Sequence, residues 1–437
     1  MTDPGQEQRK RASLAAITEM MAKAGKPTDK DYSVLLAGGP PQGEQLLSLY
    51  GGTGSLICRT DAKLALVAGT NRAVSSDNGR TFRRQSDLAF PEVPKPKKQA
   101  MGGTGGYNTP AGLVRLSDDR LGMTWTQSHP IEGNQDVFKF YFRSSSDEGE
   151  TWSEDILVNP GGDKGAPLHD TLRRLDSGRI IQPVRWLHWG GDHLRVCSLC
   201  TADGEVIEHE GHGHHPELEI AYCYYSDDDG KTWSRSIGDI IGWYQDGWGN
   251  FLTIDEPSLE QLPDGRVLLL ARTLVGRLIR SFSEDGGTTW CVPDLTPLAA
   301  DGAPCAMRRI PETGDVLCVW NQQSANEIRR GFRRCRLTAA ITRDGLTWKH
   351  FRSVEWHPHV PERSEYIQPD EKVLLTRALD NVGELPEGFG SSSYASVQIN
   401  NDEVIIWYGH SRGRHPNSVV GSGKMRILPV SWFYEKP

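Results

Sequence analysis

The sequence of 437 residues lacks an excess of positive charge. It contains 49 Lys and Arg residues against 57 Asp and Glu residues, which gives a formal net charge of -8. Proteins that bind nucleic acid generally carry a basic field that attracts the phosphate backbone. We therefore expect no nucleic-acid partner.

Long apolar segments are also missing. No run approaches the roughly 18 consecutive apolar residues that a membrane-spanning helix needs. The residues at 1–25 lack the apolar segment of a secretory signal. The sequence predicts a protein without a membrane span and, as given, a cytoplasmic location.

Cysteine is sparse and shows no metal-binding pattern. Of 8 Cys residues, Cys197 and Cys200 form a CxxC pair, but no second pair follows at the spacing of a zinc site. A His-rich segment at 202–217 is the alternative metal site, although such segments usually lie in solvent. We expect reduced thiols and neither a metal nor a cofactor.

Turn-forming residues, in contrast, are abundant. The chain has 47 Gly, 26 Pro and 13 Trp residues, a composition that favours many short strands joined by turns over long helices. The fold class expected from composition is all-β.

One eight-residue pattern, S-x-D-x-G-x-T-[W/F], recurs along the chain. The Ser and Asp side chains of such a pattern accept backbone N–H groups in a tight hairpin, and Gly takes the positive φ that the turn requires. The aromatic residue then anchors the returning strand. Full copies begin at Ser75, Ser145, Ser226 and Ser283, and a copy one residue shorter begins at Thr342.

Each copy follows two apolar strands that are joined by a D-G or S-G type turn, as in the segment at 255–272. Similar pairs of strands occur before the first copy and after the last one, so that six units are present. Spacings of about 50 to 90 residues fit propeller blades with inserted loops. The sequence predicts a six-bladed β-propeller over residues 31–437 and a short helical extension over residues 1–30.

The recurring pattern is that of the Asp box, and the chain resembles sialidases (neuraminidases) and related propellers that carry this box. In that family the box is structural and lies at the outer rim of each blade. The resemblance covers roughly residues 50–437, and it implies a sialidase-like propeller with a glycan as substrate.

A propeller brings the starts of its innermost strands together around one central pocket, although these strands are far apart in sequence. The ends of the second strands lie near the same pocket. This rule selects a set rich in arginine and carboxylate: His169, Asp170, Arg185, Asp255, Glu256, Arg272, Arg334 and Tyr394.

Within this set, some residues match sialidase motifs. The segment at 255–272 is similar to the one that holds a glutamate and a pocket arginine, which implies these roles for Glu256 and Arg272. Arg334 takes the place of another pocket arginine, and Tyr394 matches the tyrosine nucleophile at the head of the last blade.

The chemistry that this resemblance implies is coherent. A neutral tyrosine, activated by Glu256, avoids the repulsion that a carboxylate nucleophile meets from an acidic sugar. Arginines bind the sugar carboxylate in a planar, bidentate manner. By position alone, Asp170 is the candidate acid that protonates the leaving oxygen, and Arg185, Asp255 and His169 are candidate substrate-binding residues.

The sequence departs from the sialidase pattern in blade 1 and in the last blade. The stretch Gly-Gly-Thr-Gly-Ser-Leu at 51–56 stands where the family has its first arginine, and Arg185 is the candidate replacement. The family's first-blade aspartate is absent at 68–72, and Tyr-Gly-His at 408–410 displaces a glutamate.

These features favour an exo-acting glycoside hydrolase that cleaves a terminal sialic-acid-like or other acidic sugar through a retaining mechanism. The alternatives are a neutral-sugar glycosidase or polysaccharide lyase on the same scaffold, and a non-catalytic glycan-binding propeller. The sugar, the linkage and the oligomeric state are left open by the sequence.

Overall fold

The computed structural model describes part of the chain. The described residues are 44–48, 53–92, 108–130, 136–160, 165–188, 196–200, 206–210, 218–244, 250–324, 327, 334–357, 360, 390–412 and 423–435. The predicted extension over 1–30 lies outside them. Within the described residues, no helix is long and apolar enough to cross a membrane.

The described strands form six antiparallel sheets arranged as the blades of a propeller, which confirms the fold predicted from the repeat. Blade 1 contains β2 (Ser55–Cys58), β3 (Leu64–Ala68), β4 (Asn71–Ser75) and β5 (Arg83–Arg84). Blade 2 contains β6 (Asn108–Arg115), β7 (Leu121–Pro130), β8 (Asp136–Ser145) and β9 (Ile156–Leu157). Blade 3 contains β10 (Ala166–Pro167), β11 (Arg173–Arg174), β12 (Ile180–His188), β15 (Leu218–Ser226) and β16 (Ser234–Arg235).

The second half of the ring follows the same order. Blade 4 contains β19 (Asp255–Gln261), β20 (Val267–Arg272), β21 (Arg277–Ser283) and β22 (Asp294–Ala299). Blade 5 contains β23 (Ala306–Arg309), β24 (Val316–Trp320), β25 (Arg336–Thr342) and β26 (Trp348–Trp356). Blade 6 contains β27 (Gly390–Asn400), β28 (Glu403–Arg412), β29 (Gly423–Pro429) and β1 (Glu44–Ser48). Two hairpins, β13 (Val196–Cys200) with β14 (Val206–Glu210) and β17 (Gly242–Tyr244) with β18 (Asn250–Leu252), are separate sheets, and a 3₁₀ turn at Val430–Phe433 follows β29.

Blade 6 closes the ring with strands from both halves of the chain. Strand β1 pairs antiparallel with β29, from Glu44 opposite Ile427 to Ser48 opposite Gly423. The outer edge of blade 6 is therefore supplied by an early segment, which ties the two ends of the propeller together through backbone hydrogen bonds.

The apolar core lies between neighbouring blades. Phe142 of blade 2 packs with Tyr222 of blade 3, and Trp407 of blade 6 packs with Leu56 of blade 1. Each fully buried side chain of this size stabilises the fold by about 1.5 to 3 kcal/mol. Since every blade packs on its two neighbours, the ring holds the inner strands around one axis.

The repeated motif forms the turn that its sequence predicts. In the third copy, the Ser226 hydroxyl accepts the Gly230 N–H at 2.8 Å, and one oxygen of Asp228 accepts the Thr232 N–H at 2.8 Å. Gly230 has φ +87°, and a Cβ there would lie 2.1 Å from Phe142 of the preceding blade. The glycine thus serves both the turn and the contact between blades.

Candidate active site

The central feature is a tyrosine and a glutamate from two different blades. Tyr394 lies on β27 of blade 6, and Glu256 lies on β19 of blade 4. The Tyr394 hydroxyl donates a hydrogen bond to Oε1 of Glu256 at 2.8 Å. The propeller topology therefore joins a nucleophile candidate to a base candidate that is 138 residues away in sequence.

Both residues sit at irregular points of their strands. The pairing register of β19 shifts between Asp255 and Ser258, and that of β27 shifts between Ser393 and Ser396. Glu256 has φ +48° and Tyr394 has φ +60°. A left-handed backbone costs about 1 to 3 kcal/mol for a residue other than glycine, and it persists only where neighbouring groups hold it. Such bulges commonly redirect a side chain next to an active site.

Arg272 links the glutamate to a second, fully buried carboxylate. Its Nη1 donates to Oε2 of Glu256 at 2.5 Å, and its Nη2 lies 3.1 Å from Oδ2 of Asp255. Arg185 forms an ion pair with the other oxygen of Asp255. Burial opposes the charged form of Arg272, but Glu256 and Asp255 outweigh it and raise the arginine pKa well above its usual range. This arrangement fixes the carboxylate of Glu256 toward Tyr394.

Arg334 lies over the ring of Tyr394. Its guanidinium carbon is 5.2 Å from the centre of the Tyr394 ring, within the range of a cation–π contact. Its backbone N–H donates to Oδ2 of Asp301 at 2.5 Å, and its Nη2 donates to the Gly302 carbonyl at 3.1 Å. Among the described residues, no carboxylate side chain pairs with the Arg334 guanidinium. Its positive charge is thus available to an anionic ligand.

The environment keeps the Tyr394 hydroxyl protonated at neutral pH. Burial raises the pKa of Tyr394, and the negative charge of Glu256 raises it further, whereas Arg334 and Arg272 lower it in part. A hydroxyl of this kind reacts as a nucleophile only when a base removes its proton during the attack. Oε1 of Glu256 is placed to accept that proton.

Asp170 and His169, two further predicted site residues, are engaged in other contacts. Both oxygens of Asp170 accept from Nη2 of Arg308 at 3.1 Å, and its side chain is only 2% exposed. The Nε2 of His169 lies 3.2 Å from the carbonyl oxygen of Tyr394. This placement of Asp170 does not support the predicted role as the acid for the leaving group, because the carboxylate is committed to an ion pair.

Glu219 is a buried acid beside the site that the sequence reasoning missed. It lies on β15, is 1% exposed, and neither carboxylate oxygen has a hydrogen-bond partner in the described part of the chain. Burial and the nearby charge of Asp255 raise the pKa of Glu219 well above its usual range, although Arg185 and Arg272 oppose this. The only signal in the sequence is a single Glu inside an apolar strand.

Gly54, just before the first strand of blade 1, is closely packed. A Cβ on Gly54 would lie 2.1 Å from the Val67 carbonyl oxygen and 2.8 Å from the Trp407 ring. A side chain at position 54 therefore does not fit between blades 1 and 6.

The comparisons with known proteins agree with this architecture. The family described as BNR repeat-like domain matches residues 110–406. The comparison with curated protein sequences finds no match.

Solved structures match over most of the chain at low identity. A Dyadobacter fermentans protein of unknown function is 15% identical with a TM-score of 0.55, over 90% of this chain and 99% of that one. The NanB sialidase of Streptococcus pneumoniae is 12% identical with a TM-score of 0.54, over 93% of this chain and 73% of that one. A Trypanosoma rangeli sialidase, solved with 2,3-difluorosialic acid as a covalent intermediate, is 14% identical with a TM-score of 0.50, over 88% and 55%.

The fold defines this protein as a sialidase-like six-bladed propeller. Because the family match spans more than half of its length, the chain belongs to the BNR repeat-like family.

Proposed function

We propose that the protein is an exo-acting glycoside hydrolase that uses Tyr394 as nucleophile and Glu256 as its base. The observation that carries this proposal is the 2.8 Å hydrogen bond from the Tyr394 hydroxyl to Glu256, made between the bulges of two innermost strands. Ordinary strand packing does not require a half-buried tyrosine, a glutamate and two arginines at one point.

The proposed reaction has two steps and retains the anomeric configuration. In the first step, the Tyr394 oxygen bonds to the anomeric carbon as its proton passes to Glu256, and the glycosidic oxygen leaves with the electron pair of the broken bond and takes a proton from solvent. In the second step, water attacks the anomeric carbon and releases a proton to solvent, while the tyrosine oxygen leaves and regains its proton from Glu256.

The proposed substrate class is a terminal sugar with a carboxylate, such as a sialic-acid-like sugar. The support is the Arg334 guanidinium, which faces the Tyr394 ring without a carboxylate partner among the described residues. Arg272 is already paired with Glu256 and Asp255. We therefore propose that it contributes less than Arg334 to binding the sugar carboxylate. The side chain of Arg185 is 23% exposed and is the candidate second contact.

A neutral terminal sugar is the second candidate substrate. It is favoured by the stretch at 51–56, which has no arginine where the sialidase pattern has one, and by the commitment of Arg272 to two carboxylates. This site therefore offers the substrate fewer unpaired arginines than a site that binds a carboxylate through several of them.

A panel of aryl glycosides distinguishes these candidates, because an aryl leaving group needs little assistance from an acid. We expect turnover of the aryl sialoside, and a loss of at least ~1,000-fold in kcat for Tyr394→Phe. Tyr434→Phe, which removes a hydroxyl bonded to Asp315 away from the axis, is the matched control and should retain full activity.

Covalent trapping tests the nucleophile directly. Incubation with 2,3-difluorosialic acid, followed by peptide mass spectrometry, should label Tyr394 in the native protein and leave Tyr394→Phe unlabelled. Turnover of neutral aryl glycosides alone would select the second candidate. Glycan binding without any product across the panel would refute the enzyme and leave a binding propeller.

A further inference from the structure

His169 and Asp170 are consecutive residues of blade 3 that both contact the strand bearing Tyr394. The Nε2 of His169 lies 3.2 Å from the Tyr394 carbonyl oxygen. Oδ2 of Asp170 accepts the backbone N–H of Val397 at 3.3 Å. Two side chains from one blade thus bind the backbone of another blade, one within its bulge and one just after it.

Arg308 of blade 5 completes this contact. Its Nε donates to the Val397 carbonyl oxygen at 2.7 Å, and its Nη2 donates to both oxygens of Asp170 at 3.1 Å. Strand β27 is the innermost strand of blade 6, so its edge toward the axis has no neighbouring strand to satisfy its backbone groups. Arg308 and Asp170 satisfy both backbone groups of Val397 in place of a strand.

The bonding roles of His169 follow from its partner. A carbonyl oxygen only accepts hydrogen bonds, so Nε2 of His169 carries the proton in this contact. Burial lowers the pKa of His169, although Asp170 opposes this, and the neutral ring is favoured at neutral pH. His169 therefore donates a hydrogen bond from its neutral ring to the carbonyl oxygen of Tyr394, the residue whose φ is +60°.

We propose that His169 and Asp170, together with Arg308, are positioning residues that hold Tyr394 in its left-handed backbone conformation and so aim its hydroxyl at Glu256. The proposal rests on the proposed role of Tyr394 as nucleophile. It replaces the sequence-based roles of Asp170 as acid and of His169 as a substrate-binding residue. These residues act through the backbone of β27, without contact to the substrate.

A neighbouring ion pair between blades 3 and 4 provides a matched control. Nε of Arg173 donates to Oε2 of Glu260 at 3.0 Å, and both side chains are buried. In the described residues, neither side chain has a hydrogen bond to β27. The other hydrogen bonds of Arg173 go to the backbone carbonyls of Asp170, Leu172 and Met307. Glu260→Gln keeps an oxygen that accepts from Arg173, so it removes a buried charge without removing a contact of β27.

The first experiment needs no substrate. Hydrogen exchange of the peptide covering 390–400 is measured by mass spectrometry in the native protein, in His169→Ala, in His169→Gln and in Glu260→Gln. We expect faster exchange in His169→Ala, recovery in His169→Gln because glutamine restores an N–H donor, and native exchange in Glu260→Gln. Native exchange in His169→Ala would overturn the proposal.

The second experiment uses the aryl glycoside that the panel identifies. His169→Ala should lower kcat by roughly 10- to 100-fold with KM within about twofold, as expected when a reacting group is misplaced rather than removed. His169→Gln should recover most of kcat, and Glu260→Gln should keep it while lowering Tm. A native kcat in His169→Ala, or a loss that His169→Gln does not repair, would contradict the proposal. If no glycoside of the panel is cleaved, the proposed function fails. The exchange result alone then tests whether His169 holds the backbone of β27.

Discussion

The rim and the axis of this propeller use the same residue types for different purposes. At the rim, Asp228 bonds within its own turn, to a serine two residues before it and a threonine four residues after it. At the axis, Glu256 bonds to Tyr394 across 138 residues of sequence. A carboxylate surrounded by local donors is inert, whereas one that faces a hydroxyl from another blade is placed for proton transfer.

The pKa values of carboxylates also differ between the two regions. Hydrogen bonds from Thr151 and Ser145 lower the pKa of the rim residue Asp147 to about 2. Burial and the charge of Asp255 instead raise the pKa of Glu219 well above its usual range. The rim therefore stabilises charged carboxylates locally, and the axis holds carboxylates whose ionisation depends on the packing of several blades.

Neutralising one carboxylate in each region is the strongest test of this contrast. Glu256→Gln keeps an oxygen that accepts from Tyr394 but removes the base, and we expect kcat to fall by about 10² to 10⁴-fold. Asp228→Asn should leave kcat unchanged and lower the free energy of unfolding by about 1 to 3 kcal/mol, because it weakens the turn. Steady-state kinetics and urea unfolding of both variants measure this. Equal kinetic effects from the two substitutions would break the comparison.

Two rim glycines separate turn geometry from packing between blades. Gly230→Ala places a Cβ 2.1 Å from Phe142 at φ +87°, whereas Gly238 has φ +76° with no atom within 4 Å of an added Cβ. We expect Gly230→Ala to cost about 2 to 5 kcal/mol and Gly238→Ala only about 1 kcal/mol. Chemical denaturation compares the two variants. Similar losses would show that the box glycine serves the turn alone.

Glu219→Gln tests the axis through an effect on stability that depends on pH. The folded protein retains the Glu219 proton above the usual glutamate pKa, while the unfolded chain releases it. The free energy of unfolding therefore falls as pH rises through this window, by at most about 1.4 kcal/mol per pH unit, until the folded pKa is reached. Because glutamine does not titrate, the variant should gain stability relative to the native protein as pH rises.

Thermal unfolding of both proteins from about pH 5 to about pH 7.5 measures this difference. Asp255, Glu256, Arg185 and Arg272 face Glu219 and remain in both proteins. A stability difference that is constant with pH would show that Glu219 is ionised in the folded state.

The central residues were predictable where they fall in a recognisable sequence pattern. Glu256, Arg272, Arg334 and Tyr394 were selected from sequence, and the structure brings them together on the axis. Their catalytic and binding roles stay predictions. Arg308 and Glu219 were missed because neither an Arg-Arg pair at a strand end nor a single Glu in an apolar strand shows which blade its side chain faces.

The sequence by itself determined the propeller, because each Asp box forms its turn through bonds between residues two to four positions apart, and such bonds are readable in a short motif. Only the tertiary structure decided that β1 closes blade 6, that position 54 has no room for a side chain, and that Asp170 pairs with Arg308. These outcomes depend on which blades meet across the axis and on the register of their strands, and closing the ring fixes both at once.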